Sequence, residues 1–148
     1  MKMKKNEQQG INFDKIIFEK INVEINPEFK PEDIGKGLDV DISLNANGKI
    51  DKSNKILIFK LETALFKNTK NKPFNIFIKA IGFFSVKDEA DIPRLEEFSK
   101  INAPALIFPF VREIIADLTL KTGYQPLLLP PINIVALISK SLNKSKEK

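Results

Sequence analysis

"INAPALIFPFVREIIADL", residues 101–118, decides how this chain is built. Here the apolar residues leave alternation and take up the three-and-four spacing of a helix, with Ile107, Val111, Ile114, Ile115 and Leu118 on one stripe. Two prolines interrupt it. Pro104 suits the first turn of a helix capped by Asn102, whereas Pro109 in an interior would remove a hydrogen bond. The pattern therefore predicts a short helix within 88–102 starting near Pro93, a turn over 103–108 ending in a break or kink, and a regular helix from Pro109 to Thr122. Gly123 would cap it. The next stretch, "YQPLLLPP" (124–131), cannot be helical, because Pro126, Pro130 and Pro131 hold the backbone extended around three leucines. "INIVALISKSLNK" (132–144) then predicts a second amphipathic helix with Ile134, Leu137, Ile138 and Leu142 on its stripe.

Upstream the period is two. From Phe13 to Ile25, simple alternation puts Phe13, Lys15, Ile17, Glu19, Ile21, Val23 and Ile25 on one face, and Asp14, Ile16, Phe18, Lys20, Asn22 and Glu24 on the other. A long connection with Pro27, Pro31, Gly35 and Gly37 follows. "LDVDISLNA" (38–46) alternates strictly, and "NGKIDKSN" (47–54) carries the Asn-Gly pair of a turn. "KILIFKLETALF" (55–66) and "PFNIFIKAIGFFSV" (73–86) are two further strands joined by "KNTKNK". The last strand is apolar on both faces: Phe74, Ile76, Ile78, Ala80, Phe84 and Val86 on one, Phe77, Ile81 and Phe83 on the other. A sheet with one wet face does not need the second set, so a second layer or another subunit is expected over it. Four strands followed by two main helices make an α+β fold: a four-stranded antiparallel sheet with the helices packed on one face.

The chain has 148 residues, 43% hydrophobic and 29% charged, enough for one core. The reading is a flexible arm over 1–12, a single domain over 13–142 and a basic tail over 143–148. Cysteine and histidine are both absent. That excludes disulfides, Cys/His zinc sites and Ser-His or Cys-His nucleophile pairs; no cofactor is implied. No run approaches the roughly 18 apolar residues of a membrane span, and "MKMKKNEQQG" lacks the apolar core of a secretory signal, so a cytoplasmic location is expected. The net charge of +5 is concentrated at the two ends and reads as solvated tails.

"NAPALIFPFVRE" resembles the signature of the SecB family, in which a proline, an apolar pair and Phe-Pro-aromatic precede Arg-Glu. "GYQPLLLPPINIVAL" is similar to the same family's Gly-aromatic-x-Pro, leucine, proline and apolar-Asn segment, and "GFFSV" closes the fourth strand with the family's spacing. The similarity covers roughly residues 13–142. It implies a chaperone, not an enzyme: a homotetramer, a dimer of dimers, that holds unfolded or nascent polypeptides in apolar grooves for export, with a toxin–antitoxin chaperone protecting an antitoxin as the alternative. On this reading the proline-braced leucines wall a groove, and Tyr124, Leu127, Leu128, Leu129, Ile134, Leu137, Ile138, Phe77 and Phe83 are the client-binding candidates. Ile107, Val111, Arg112, Glu113, Ile114 and Leu118 are the candidates for the tetramer interface.

The family's contact with the SecA motor uses an acidic patch on the sheet. The positions that match it here are Lys20, Glu24, Asn75 and Phe77, of which only one is acidic, and the tail is lysine-rich; like charges facing each other weigh against SecA as a partner. A nucleic-acid-binding module would interleave arginines and aromatics, but arginine occurs only at 94 and 112. An enzyme built on Asp39 and Asp41 has no companion motif. Polypeptide holding is the favoured reading, with no nucleic acid and no membrane insertion.

Overall fold

The computed structural model describes residues 10–30, 32, 40–129, 133, 134 and 136. Its strands are β1 (Ile11–Ile25), β2 (Ile42–Asp51), β3 (Ile56–Leu65) and β4 (Phe74–Val86), followed by a single 3₁₀ turn, Glu89–Asp91, and one helix, α1 (Ile92–Lys121). The sheet is antiparallel throughout, in the order β1-β4-β3-β2. Because β1 and β2 form opposite edges, the chain between them has to cross the breadth of the sheet, which is why the connection is long. It leaves β1 through Asn26, whose backbone N–H donates to the Pro73 carbonyl at 2.9 Å and whose side-chain amide donates to the Lys72 carbonyl at 3.0 Å.

One face of the sheet carries the core. Leu57, Phe59, Leu61, Thr63 and Leu65 of β3 pair across to Phe84, Gly82, Ala80, Ile78 and Ile76 of β4, and α1 lies on this layer with Leu95, Phe98, Ile107, Phe108, Val111 and Ile115 buried. The closest approach falls at Gly82, where a Cβ would stand 2.6 Å from Ile107 Cδ1. A side chain there would push the helix away, so glycine sets the distance between the layers.

Three local expectations change. β1 does not alternate simply: its register to β4 slips between Phe13 and Lys15 and again between Phe18 and Lys20. Each slip is a bulge, with Asp14 and Glu19 as the extra residues, and each returns the following residues to the opposite face. Phe13, Ile16, Phe18, Ile21, Val23 and Ile25 therefore share the helix-side face, and Lys15, Ile17, Lys20, Asn22 and Glu24 the other. The Asn47-Gly48 pair is not a turn. It lies within β2, with Gly48 opposite Phe59 and a hypothetical Cβ 3.3 Å from Ser99 Cβ; the reversal comes later, between Asp51 and Ile56.

The third change is α1. The helix runs unbroken from Ile92 to Lys121 with Pro104 and Pro109 inside it, instead of ending and restarting around 103–109. Each proline deprives one carbonyl, of Lys100 and of Ala105, of its donor. Both residues are exposed, so water can satisfy those oxygens. An interior proline costs about 3 kcal/mol, whereas burying Ile107, Phe108, Val111 and Ile115 contributes roughly 1.5–3 kcal/mol each. Packing on the sheet therefore outweighs the interruption. The second helix expected over 132–144 lies, apart from isolated positions, outside the described residues.

Candidate functional site

The proline-braced strap leaves α1 at Gly123, whose φ of 89° turns the chain out of the helix. It is held by Thr119, a fully buried residue. The Thr119 hydroxyl donates to the Ala116 carbonyl at 3.0 Å and accepts from the Leu127 N–H at 2.7 Å. Tyr124 packs against Phe74 and Phe29, with ring centroids 5.9 and 6.4 Å apart, fixing the strap to the end of the sheet. The leucines then divide. Leu129 is buried, Leu127 is half-buried against the core, and Leu128 stands 75% exposed between them. Ile134 is also in the core. Leu137 and Ile138 lie outside the described residues.

A second apolar surface runs along the outward side of α1. Ile107 and Val111 do not belong to it: both are fully buried within the chain itself, Ile107 over Gly82, so they are core residues and unavailable to another subunit. Ile114 and Leu118 are partly buried against the same core. The exposed large apolar positions of α1 are Ile101, Leu106, Phe110 and Leu120, with Leu106 and Phe110 each 43% exposed. Phe110 meets Phe13 edge-on at 6.2 Å, and Phe13 stacks on Phe84 at 4.6 Å. Arg112 is half-buried and Glu113 exposed. Further along, Asp117 and Lys121 form an i,i+4 ion pair at 3.3 Å.

The third surface is the sheet face turned away from α1. Phe77 and Phe83 lie here, on the opposite side of the sheet from the strap, so they cannot share a groove with Leu128. Lysines of β1 lie over both rings: Lys15 Nζ is 4.8 Å from the Phe83 centroid and Lys20 Nζ 5.5 Å from that of Phe77. Glu24 and Asn75 pair across the same face. The Asn75 Oδ1 atom is buried without a hydrogen-bond partner among the described residues, beside a pocket of about 210 Å³ lined by Asn22, Lys67, Lys72 and Phe77.

Lys15, Leu106, Phe110 and Thr119 were not singled out by the sequence. The apolar residues of β1 fall at 11, 13, 16, 17, 18, 21, 23 and 25; the gaps of three after 13 and 18 coincide with the bulges, but with Ile17 on the outer face it is pairing with β4 that assigns Lys15 there. Among the described residues no three carboxylate, imidazole or thiol groups gather to hold a cation, and no helix is long and apolar enough to cross a membrane.

A four-stranded antiparallel sheet covered on one face by a single long helix is the fold of the SecB-like chaperones. The structure superimposes on a SecB-like chaperone of Mycobacterium tuberculosis, solved in complex with a peptide from an antitoxin, with a TM-score of 0.68 over 85% of this chain and 93% of that one, at 13% identity. In sequence, residues 20–145 match the SecB family, described as preprotein translocase subunit SecB. The chain is 32% identical to the protein-export protein SecB of Rickettsia typhi over 107 residues, 72% of this chain and 69% of the relative. It is 30% identical to an uncharacterized protein of Methanocaldococcus jannaschii over 132 residues, 88% and 83% respectively. The chain belongs to the SecB family and is a SecB-like chaperone.

Proposed function

We propose that the chain acts as a holdase in the cytoplasm: it captures unfolded or nascent polypeptides by covering their apolar side chains, without catalysing a reaction, and works as a homotetramer. The observation that carries this is Leu128. A large aliphatic side chain 75% exposed, on a strap whose neighbours are anchored in the core and by Thr119, is poor for stability and well suited to binding. Because prolines and buried neighbours restrict the strap beforehand, little ordering entropy is lost when a client docks. Tyr124 and Leu127 would floor the groove beside it. The exposed ridge of Ile101, Leu106 and Phe110, with Glu113 on the same side, is the proposed subunit contact.

The relatives named protein-export protein SecB favour export as the setting. Against SecA as the motor stand Lys20, Asn75 and Phe77 where an acidic patch would be needed. The antitoxin peptide held by the Mycobacterium tuberculosis chaperone makes protection of an antitoxin the second reading. Both share the same binding step.

The test compares two leucines. Leu128→Gln should raise the concentration needed to halve the aggregation of an unfolded client, while the urea midpoint shifts by no more than about 0.5 kcal/mol, as at surface positions. Leu129→Gln buries a polar group and should cost roughly 1–3 kcal/mol. Unchanged holding by the Leu128 variant would remove the strap from the binding surface.

A further inference from the structure

The outer sheet face is built unlike an ordinary wet face. Ile81 is only 7% exposed although none of the described elements packs over this face; Ile17 flanks it on β1 and Lys60 on β3. Around this apolar strip Lys15, Lys20, Lys60 and Lys79 outnumber Glu19, Glu24 and Glu62 by one, and the charges are unevenly paired. Glu19 pairs with Lys79 at 3.3 Å, and Glu62 is in register with the same lysine. Lys15 and Lys20 have no carboxylate within ion-pair distance among the described residues. Instead their ammonium groups sit over Phe83 and Phe77.

We propose that this face docks an acidic peptide segment that carries apolar side chains, an extended stretch of another protein in which carboxylates alternate with aliphatic residues. Carboxylates would meet Lys15 and Lys20, whose charge is already oriented by the rings beneath. Aliphatic side chains would lie on Ile17 and enter the 210 Å³ pocket beside Phe77. Nucleic acid fits less well. Single strands bind by stacking bases on open aromatic faces, and both rings here carry an ammonium on the exposed face. The surface lies across the sheet from Leu128, so it is separate from the proposed client groove and does not depend on it.

The experiment is fluorescence anisotropy with the full-length protein and three labelled probes: a peptide of about ten residues alternating Glu and Leu, the same peptide with Lys for Glu, and an oligothymidine of similar charge. The acidic peptide should bind and the lysine peptide should not. The double variant Lys15→Glu/Lys20→Glu should weaken the acidic peptide by about tenfold or more and bring the salt dependence down with it. Lys15→Met/Lys20→Met keeps the stems over the rings and removes only the charge; it should show a smaller loss at an unchanged urea midpoint. Lys100→Glu, on α1, should leave binding as it was. Client holding should survive both double variants, which separates this surface from the holdase reading. Absence of acidic-peptide binding, binding indifferent to both double variants, or tighter binding of the oligothymidine would overturn the proposal.

Discussion

Gly82 shows how one missing side chain sets the geometry of the molecule. Its hypothetical Cβ would lie 2.6 Å from Ile107 Cδ1, 3.1 Å from Ile107 Cγ1 and 3.1 Å from Phe84 Cε2. Ile107 is fully buried and cannot swing away, so the helix itself would have to lift. Gly82→Ala should therefore destabilise by about 1–3 kcal/mol, as overpacking does. Ile107→Val removes the offending Cδ1 and alone should cost about 0.5–1.5 kcal/mol. Together the two should cost clearly less than their sum, since the second change makes room for the first. Urea midpoints of the four proteins check this, and strict additivity would mean that Gly82 is not a contact point. Phe66 is a second residue held by its surroundings. Its φ of 61° is uncommon for a bulky side chain. A fully buried ring, a 2.8 Å bond from its N–H to the Asp41 carbonyl, and a 2.8 Å bond from Lys72 Nζ to its own carbonyl keep it there.

At the scale of elements, the strap depends on α1 through one hydroxyl. Thr119→Val keeps the shape, but leaves the half-buried Leu127 N–H without its acceptor, which should cost about 1–3 kcal/mol. Hydrogen exchange at Leu127 should speed up selectively, and Thr119→Ser should restore protection; equal exchange in all three proteins would mean the bond does not hold the strap. The β2–β3 turn makes a pH prediction. The Asn54 side-chain amide donates to Asp51 at 2.7 Å and the Asn54 backbone N–H at 3.3 Å. These bonds, the side-chain one first, hold the Asp51 carboxyl below its ordinary value of 3.8. A carboxylate with a depressed pKa contributes its stabilisation above the unfolded value, and loses it as pH falls through the folded one. The turn should therefore loosen only below pH 3.8. Asn54→Ala should return the titration, followed by NMR, toward the ordinary value.

Elements also differ in how far the sequence disclosed them. The strands were legible because alternation reports burial directly, and β4 showed both its faces. The bulges of β1 were not, because Lys15 and Glu19 fit simple alternation as well as Ile16 and Phe18 do. Only pairing with β4 fixes the register. Gly48 carried a turn signal that close packing against Ser99 and Phe59 overrides. Pro109 carried a break signal that burial of the helix overrides. In each case a local preference of a few kcal/mol was set against tertiary packing that the local sequence does not contain. The same holds for Ile107 and Val111, whose stripe was visible but not whether sheet or neighbouring subunit would cover it.

On the scale of the whole molecule, the exposed ridge remains to be covered. Phe13, Ile101, Leu106 and Phe110 are all large apolar side chains at or above about a third exposure. Phe13 and Phe110 touch, so they present one continuous surface rather than scattered residues. Contiguous apolar area of this kind on a monomer marks an interaction site. A closed symmetric assembly would bury it from several copies at once. Light scattering should therefore return a mass near four times the 16.8 kDa chain, as the tetramer reading requires. Leu106→Glu/Phe110→Glu places two carboxylates at positions that are exposed in the single chain and would be buried in the proposed assembly. The separated chain tolerates them, but the interface would have to desolvate charge without partners. The variant should run at a lower mass, keep its secondary structure, and show a urea midpoint that no longer rises with protein concentration. If the variant keeps the parent's mass, the ridge is not the subunit contact. If the parent itself is a monomer at micromolar concentration, the tetramer reading fails and the ridge must be covered by something other than this chain.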